Sequence, residues 1–132
     1  AAIDRIVDLH VETNGAIALA PFIARIKSDK VRYIMDYKLS GSGEAGRMVD
    51  ENLQLLRPCD ECKFVIANEA DFHEALDVLD RLPTNAQVLF SPVWETMPPE
   101  RLVKMMLEHR LSRVKLSLQL HKVIWHPDKR GV

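Results

Sequence analysis

The sequence predicts an α/β fold, a mainly parallel sheet of about five strands with helices between them. Two observations carry this expectation. Short apolar runs alternate with segments of helical period, and all but the last run pass through a polar or glycine-rich loop into a helix. Strands alternating with helices of about 10–15 residues build right-handed βαβ units, because a right-twisted strand returns to the same sheet only in that hand.

The first run, "VDLHVET" near residues 7–13, closes on Asn14-Gly15 and leads into a weaker helical segment, "ALAPFIARI". The second, "VRYIMDY", covers 31–37. Its helix places Val49, Leu53 and Leu56 at i, i+4, i+7 and is stopped by Pro58. The third, "CKFVIA", covers 62–67. Asn68 then offers its side-chain oxygen as an N-cap for "EADFHEALDVLDRL", with Phe72, Leu76 and Leu79 as one stripe. The fourth, "QVLFSPV", precedes "PPERLVKMMLEHRL", where Pro98 and Pro99 suit a first helical turn. The fifth, "RVKLSLQL", is read as a strand ending at Gln119 and Leu120 with no helix after it.

In such sheets ligands bind where the loops leave the carboxyl ends of the strands. Those ends read Thr13-Asn14-Gly15, Asp36-Tyr37-Lys38, Asn68-Glu69, Ser91-Pro92-Val93-Trp94 and Gln119 to His121. All carry hydrogen-bonding groups or glycine, and together they predict one polar rim.

Composition narrows the function classes. The chain has 132 residues, one domain's length, with 47% hydrophobic and 28% charged residues and a net charge of -1. Its Lys and Arg residues are scattered, which argues against nucleic acid or an anionic membrane as partner. No apolar run approaches the roughly 20 residues that span a bilayer, and two cysteines suit a reducing, cytoplasmic setting. The opening "AAIDRIVDLHVETNG" carries no Met and reaches a strand at once, so a piece of a longer protein is expected.

Several motifs compete for the chemistry. Gly41-Ser42-Gly43-Glu44-Ala45-Gly46 is G-x-G-x-x-G between a strand and a helix, with Glu69 at the next strand end. A dinucleotide site needs its first glycine directly off the strand, and here Lys38-Leu39-Ser40 intervene, so a plain turn-rich loop explains the pattern better. Cys59 and Cys62 form C-x-x-C but lead into a strand and lack a second pair. Cys62 is therefore expected to be a buried hydrophobe rather than a redox or zinc ligand. The five histidines form no metal pair, since His121 and His126 share neither a helix nor a strand face. Ser91 lacks a hydrolase's glycine-flanked elbow. The tail from Leu118 to Val132 reads equally as a C-terminal strand with a packed Trp125 and as a flap over the rim.

Five segments in order, "VETNG", "DYKLSGSGE", "LRPCDECKFVIAN", "VLFSPV" and "LQLHKVIWHPDKRGV", resemble the C-terminal part of the 7-carboxy-7-deazaguanine synthase family over nearly the whole chain. The resemblance implies half of an incomplete (β/α) barrel and a homodimeric radical S-adenosylmethionine enzyme with a [4Fe-4S] cluster and Mg²⁺, reduced by a flavodoxin or ferredoxin. A 5′-deoxyadenosyl radical would take hydrogen from 6-carboxy-5,6,7,8-tetrahydropterin. Ring contraction with loss of ammonia would then give 7-carboxy-7-deazaguanine.

By the same resemblance Thr13 matches a substrate-contacting threonine, and Gly15 a glycine whose backbone meets S-adenosylmethionine. Asp36, Tyr37 and Lys38 match a cofactor-contacting triplet, in which a lysine would suit the methionine carboxylate. Ser91, Pro92, Val93 and Trp94 match a later cofactor loop. Gln119 and His121 lie where the pterin would bind, and the terminal carboxylate of Val132 would reach it. There are departures: Ser40 stands where the family often has Pro, which predicts a looser loop. The three cluster cysteines and a G-G-E-P-like loop are missing, so no catalytic or metal-binding residue is assigned and the chain alone is expected to be inactive. An open half-barrel would also bare a sheet edge, which predicts a homo-oligomer. Two other classes remain: a nucleotide-binding module using Gly41 to Gly46 and Glu69, and a non-catalytic assembly domain.

Overall fold

The computed structural model describes residues 8–42 and 48–125. The elements are β1 (Leu9–Thr13), α1 (Ala20–Arg25), β2 (Val31–Tyr37), α2 (Glu51–Leu55), β3 (Glu61–Ile66), α3 (Glu69–Arg81), β4 (Gln87–Pro92), α4 (Pro99–Glu108), β5 (Val114–Leu116) and α5 (Leu120–Ile124). A 3₁₀ turn covers Ser40–Ser42. The five strands are all parallel, in the spatial order β1-β2-β3-β4-β5. Right-handed crossovers in strictly sequential order put every connecting helix on one face. This one-sided winding is that of half a (β/α) barrel. A doubly wound sheet would reverse its strand order and be covered on both faces.

Burial follows the period of two. In β2, Val31, Tyr33, Met35 and Tyr37 are buried, while Arg32, Ile34 and Asp36 between them are half-buried. β3 repeats this, with Cys62, Phe64 and Ile66 buried. At the centre, Phe90 meets Phe64 and Phe72 edge to face, with ring centroids 5.8 Å apart in each pair. Each fully buried ring stabilises the fold by about 1.5–3 kcal/mol. The buried Cys62 is the small hydrophobe that its alternation with Lys63 predicts.

The Asn68 cap is present, its side-chain oxygen accepting from the Asp71 N–H at 2.8 Å. The stripe of α3 sits slightly rotated from the reading: Phe72, Ala75 and Val78 are buried, and Leu76 and Leu79 pack half-buried at its margin. Pro98 is the N-cap of α4 and Pro99 its first residue.

The C-terminal reading needs correction. β5 stops at Leu116, and a helix does follow it, α5, with Gln119 as its N-cap. Ser117 makes the last bond toward β4, its N–H donating to the Phe90 carbonyl at 2.8 Å. Beyond that point the alternation of "RVKLSLQL" has no partner strand to hold it extended.

At the amino end of the sheet Asp60, fully buried, ties three segments together. It accepts from the Tyr33 N–H at 2.9 Å, the Arg57 N–H at 2.7 Å and the Arg57 guanidinium at 3.0 Å. Arg57 in turn donates to the carbonyls of Ser28 and Val31. Burial pushes the Asp60 carboxyl upward, but the Arg57 and backbone bonds outweigh it and hold the group below the usual carboxylate range.

Candidate functional site

The parallel sheet delivers the carboxyl ends of all five strands to one edge, and two adjoining cavities open there. The larger, about 440 Å³, is lined by Glu12, Thr13, Asn14, Ile17, Ile34, Asp36 and Lys63. Register explains its chemistry. Glu12 pairs with Ile34, and Asp36 with Lys63, so these residues share the face that no helix covers. Inward positions of a closed barrel are mostly bulky aliphatics packed in layers. Here they alternate with charges, which suits a polar ligand better than a sealed core.

Asp36 is the electrostatic centre. Its carboxylate lies 3.2 Å from Lys63 Nζ and 3.6 Å from Lys38 Nζ, and all three side chains are about one-third exposed. The triad thus holds two positive charges and one negative. Lys38 also lines the second cavity, about 170 Å³, with Tyr37, Gly41, Val65, Asp71 and Val93. The Asp36–Lys38 ion pair joins the two spaces.

The remaining assigned residues fall as follows. Thr13 is in register with Met35 on the helix side, and its Oγ1 accepts from the Gly15 N–H at 3.2 Å. Gly15 is buried at φ +74°, and a Cβ there would stand 2.5 Å from Met48 Cε. Tyr37 turns into the core. Its hydroxyl donates to Asp50 at 2.9 Å, and its ring meets Phe64 at 5.2 Å. Burial first, and then the bond to Asp50, push its hydroxyl well above the ordinary phenol range. Ser91 is buried in register with Val65, and Pro92 ends β4. Val93 spends its N–H on the Ile66 carbonyl, and Trp94 is half-buried beyond it. Gln119 and His121 sit at the start of α5 and line neither cavity. Val132 lies outside the described residues, as do Gly43 and Gly46.

Ser40 itself is tied to α3. Its N–H and hydroxyl both donate to the Glu74 carboxylate of α3, at 2.8–3.2 Å. A proline there would have no N–H to give. Beside it, Asp71 Oδ1 would lie 2.8 Å from a Cβ on Gly41.

Sequence reading missed three residues of this region. Glu12 and Lys63 reach the cavity only because of strand register, and Asn52 holds the loop that carries Ile17 into its wall, through long-range bonds taken up below. Lys63 had one readable signal, a charge alternating with Cys62 and Phe64 inside an apolar strand.

The chain's thiols do not fit the iron–sulfur cluster that the resemblance implies. Cys59 and Cys62 lie at the amino end of β3, opposite the loops, and burial pushes the Cys62 thiol far above its ordinary range. Among the described residues no three His, Cys, Asp or Glu side chains are grouped to hold a metal ion. No described helix is long and apolar enough to cross a membrane.

The fold and site define a class: a one-sided parallel α/β half-barrel with a charged cavity at the carboxyl ends of its strands. Comparison with known proteins makes this specific. The chain is 33% identical over 133 residues to 7-carboxy-7-deazaguanine synthase of Clostridium acetobutylicum, matching 99% of this chain and 59% of that protein. The synthase of Leptospira interrogans is 37% identical over 127 residues (93% and 51%), and that of Koribacter versatilis 35% over 137 residues (92% and 58%). The resemblance to 7-carboxy-7-deazaguanine synthases thus extends over nearly the whole chain, which spans about half the length of the curated relatives it matches. No protein-family model matches the chain, and no solved structure does.

Proposed function

We propose that this chain forms the C-terminal part of a 7-carboxy-7-deazaguanine synthase, a radical S-adenosylmethionine lyase of deazapurine biosynthesis. The reaction takes 6-carboxy-5,6,7,8-tetrahydropterin to 7-carboxy-7-deazaguanine and ammonia, a rearrangement in which substrate and products balance without a net oxidant. The observation that carries the reading is the Lys38–Asp36–Lys63 triad at the mouth of the half-barrel, in a chain so similar to enzymes of that name.

S-adenosylmethionine is a zwitterion with an added sulfonium charge, so it calls for both signs at short range. Lys38 takes its carboxylate, and Asp36 answers its ammonium or sulfonium. Gly15 lets the loop after β1 pack against Met48 and Met35, where a side chain could not fit, and Ile17, Ile34 and Val65 shed water from the space. The bound cofactor supplies the hydrogen-abstracting radical, and this chain's residues hold and orient it. Cluster cysteines, Mg²⁺ ligands and the docking of a flavodoxin or ferredoxin belong to residues other than those described. The active species is a homo-oligomer, and the chain alone is inactive.

Calorimetric titration with S-adenosylmethionine tests this. Weak binding to the chain is expected, lowered about tenfold by Lys38→Ala. Equal affinity in the two proteins would sink the assignment. An upstream coding sequence with three closely spaced cysteines would support it independently.

A further inference from the structure

Asn52 is fully buried on α2, beside Leu53 in a stretch read from its sequence as plain amphipathic helix. Its carboxamide reaches back more than thirty residues to the loop after β1. Oδ1 accepts from the Leu19 N–H at 2.9 Å, and Nδ2 donates to the Ile17 carbonyl at 2.9 Å and to the Gly15 carbonyl at 3.3 Å. The partners fix the amide's orientation, since an N–H can only donate and a carbonyl can only accept.

The same segment grips Gly15 twice more. The Val49 N–H donates to the Gly15 carbonyl at 3.0 Å, and Met48 Cε fills the space where a Cβ would stand. The next residue, Asp50, accepts from the Tyr37 hydroxyl at the end of β2. Residues 48–52 therefore fasten the exits of β1 and β2 to each other, and both exits border the larger cavity through Ile17 and Asp36.

We propose that Asn52 is a positioning residue: its carboxamide sets residues 15–19 so that the Ile17 side chain, which lines the larger cavity, stands at a defined distance from the ligand. The proposal rests on the reading above for the identity of that ligand, but its geometry does not depend on it. Asn is the fitting residue because the loop needs an acceptor and two donors from one short side chain. Leucine would take the partner from the Leu19 N–H and the Ile17 carbonyl, and leave the Gly15 carbonyl with the Val49 N–H alone. Aspartate would still accept from Leu19 but would set a carboxylate against two carbonyls.

The test compares Asn52→Leu, Asn52→Asp and, as a control for plain core damage, Leu53→Val on the same helix. Two readouts are taken under conditions where each variant is folded: hydrogen exchange at the Leu19 amide, and affinity for S-adenosylmethionine. In Asn52→Leu, Leu19 exchange is expected to rise more than about tenfold over the control, and affinity to fall about tenfold or more. In Asn52→Asp, Leu19 stays protected while affinity still falls, separating the acceptor from the donors. Should Asn52→Leu not fold, Asn52→Asp decides by affinity alone. Leu19 exchange equal to the control, or affinity losses no larger than in Leu53→Val, overturns the proposal. If the wild-type chain binds no S-adenosylmethionine, the ligand reading fails and Leu19 exchange alone decides the positioning role.

Discussion

The two ends of this sheet use the same charges to opposite effect. At the amino end Asp60 is sealed from water and accepts from Arg57, the Tyr33 N–H of β2 and, at 3.8 Å, the Cys59 thiol. At the carboxyl end Asp36 stands between two lysines, all three partly open to solvent, at distances that hold an ion pair without locking it. A saturated, buried carboxylate is a fastener: it can accept nothing more without breaking the fold. An accessible one shared between two cations is a receptor, since a ligand's charges can still rearrange around it.

The largest effect should come from breaking the fastener. Asp60→Ala takes the acceptor from the Tyr33 and Arg57 N–H groups and from the half-buried Arg57 guanidinium, and is expected to cost about 3 kcal/mol in denaturant unfolding. Asp60 is also depressed in the folded state, so its contribution is present above the unfolded carboxylate value near about 4 and is lost as pH falls through the lower folded value. Asp60→Asn should flatten that acid dependence, and an unchanged acid limb would place the titration elsewhere. Gly15→Ala comes next. Positive φ and the crowding by Met48 predict a loss of about 1–3 kcal/mol, read as a lowered Tm.

Lys63→Met sharpens the contrast from the other side. Removing one cation of the open triad should leave Tm nearly unchanged and lower affinity for S-adenosylmethionine about threefold, with a weaker dependence on salt. A destabilisation as large as that of Asp60→Ala would mean that the triad is structural after all. The smallest effect belongs to Glu69→Gln, which removes the exposed pair with Arg101 at 3.0 Å. It should change stability by less than about 0.5 kcal/mol, within the error of a melting curve.

Legibility followed the range of the interactions. β2 at 31–37 and the Asn68 cap of α3 were readable because alternation and capping act within a few residues. The end of β5 and the whole of α5 were not. A five-residue helix shows barely more than one turn of period, and the apolar pattern after Leu116 stays strand-like although no sixth strand pairs with it among the described residues. Tyr37 illustrates a finer limit. It lies between Asp36 and Lys38 in the chain, yet pleating turns its ring to the opposite face from Asp36, against Phe64, where it still borders the second cavity.

By itself, the sequence determined the α/β class, the parallel order of apolar runs, and the resemblance to the deazaguanine synthases, because each is written in local periodicity or contiguous motifs. Tertiary structure alone decided that Lys63 meets Asp36, that Asn52 reaches Gly15 and Ile17, and that Gln119 and His121 line neither cavity. Such facts depend on strand register and on hydrogen bonds closed across dozens of residues, and no local pattern encodes which distant partner a polar side chain will find.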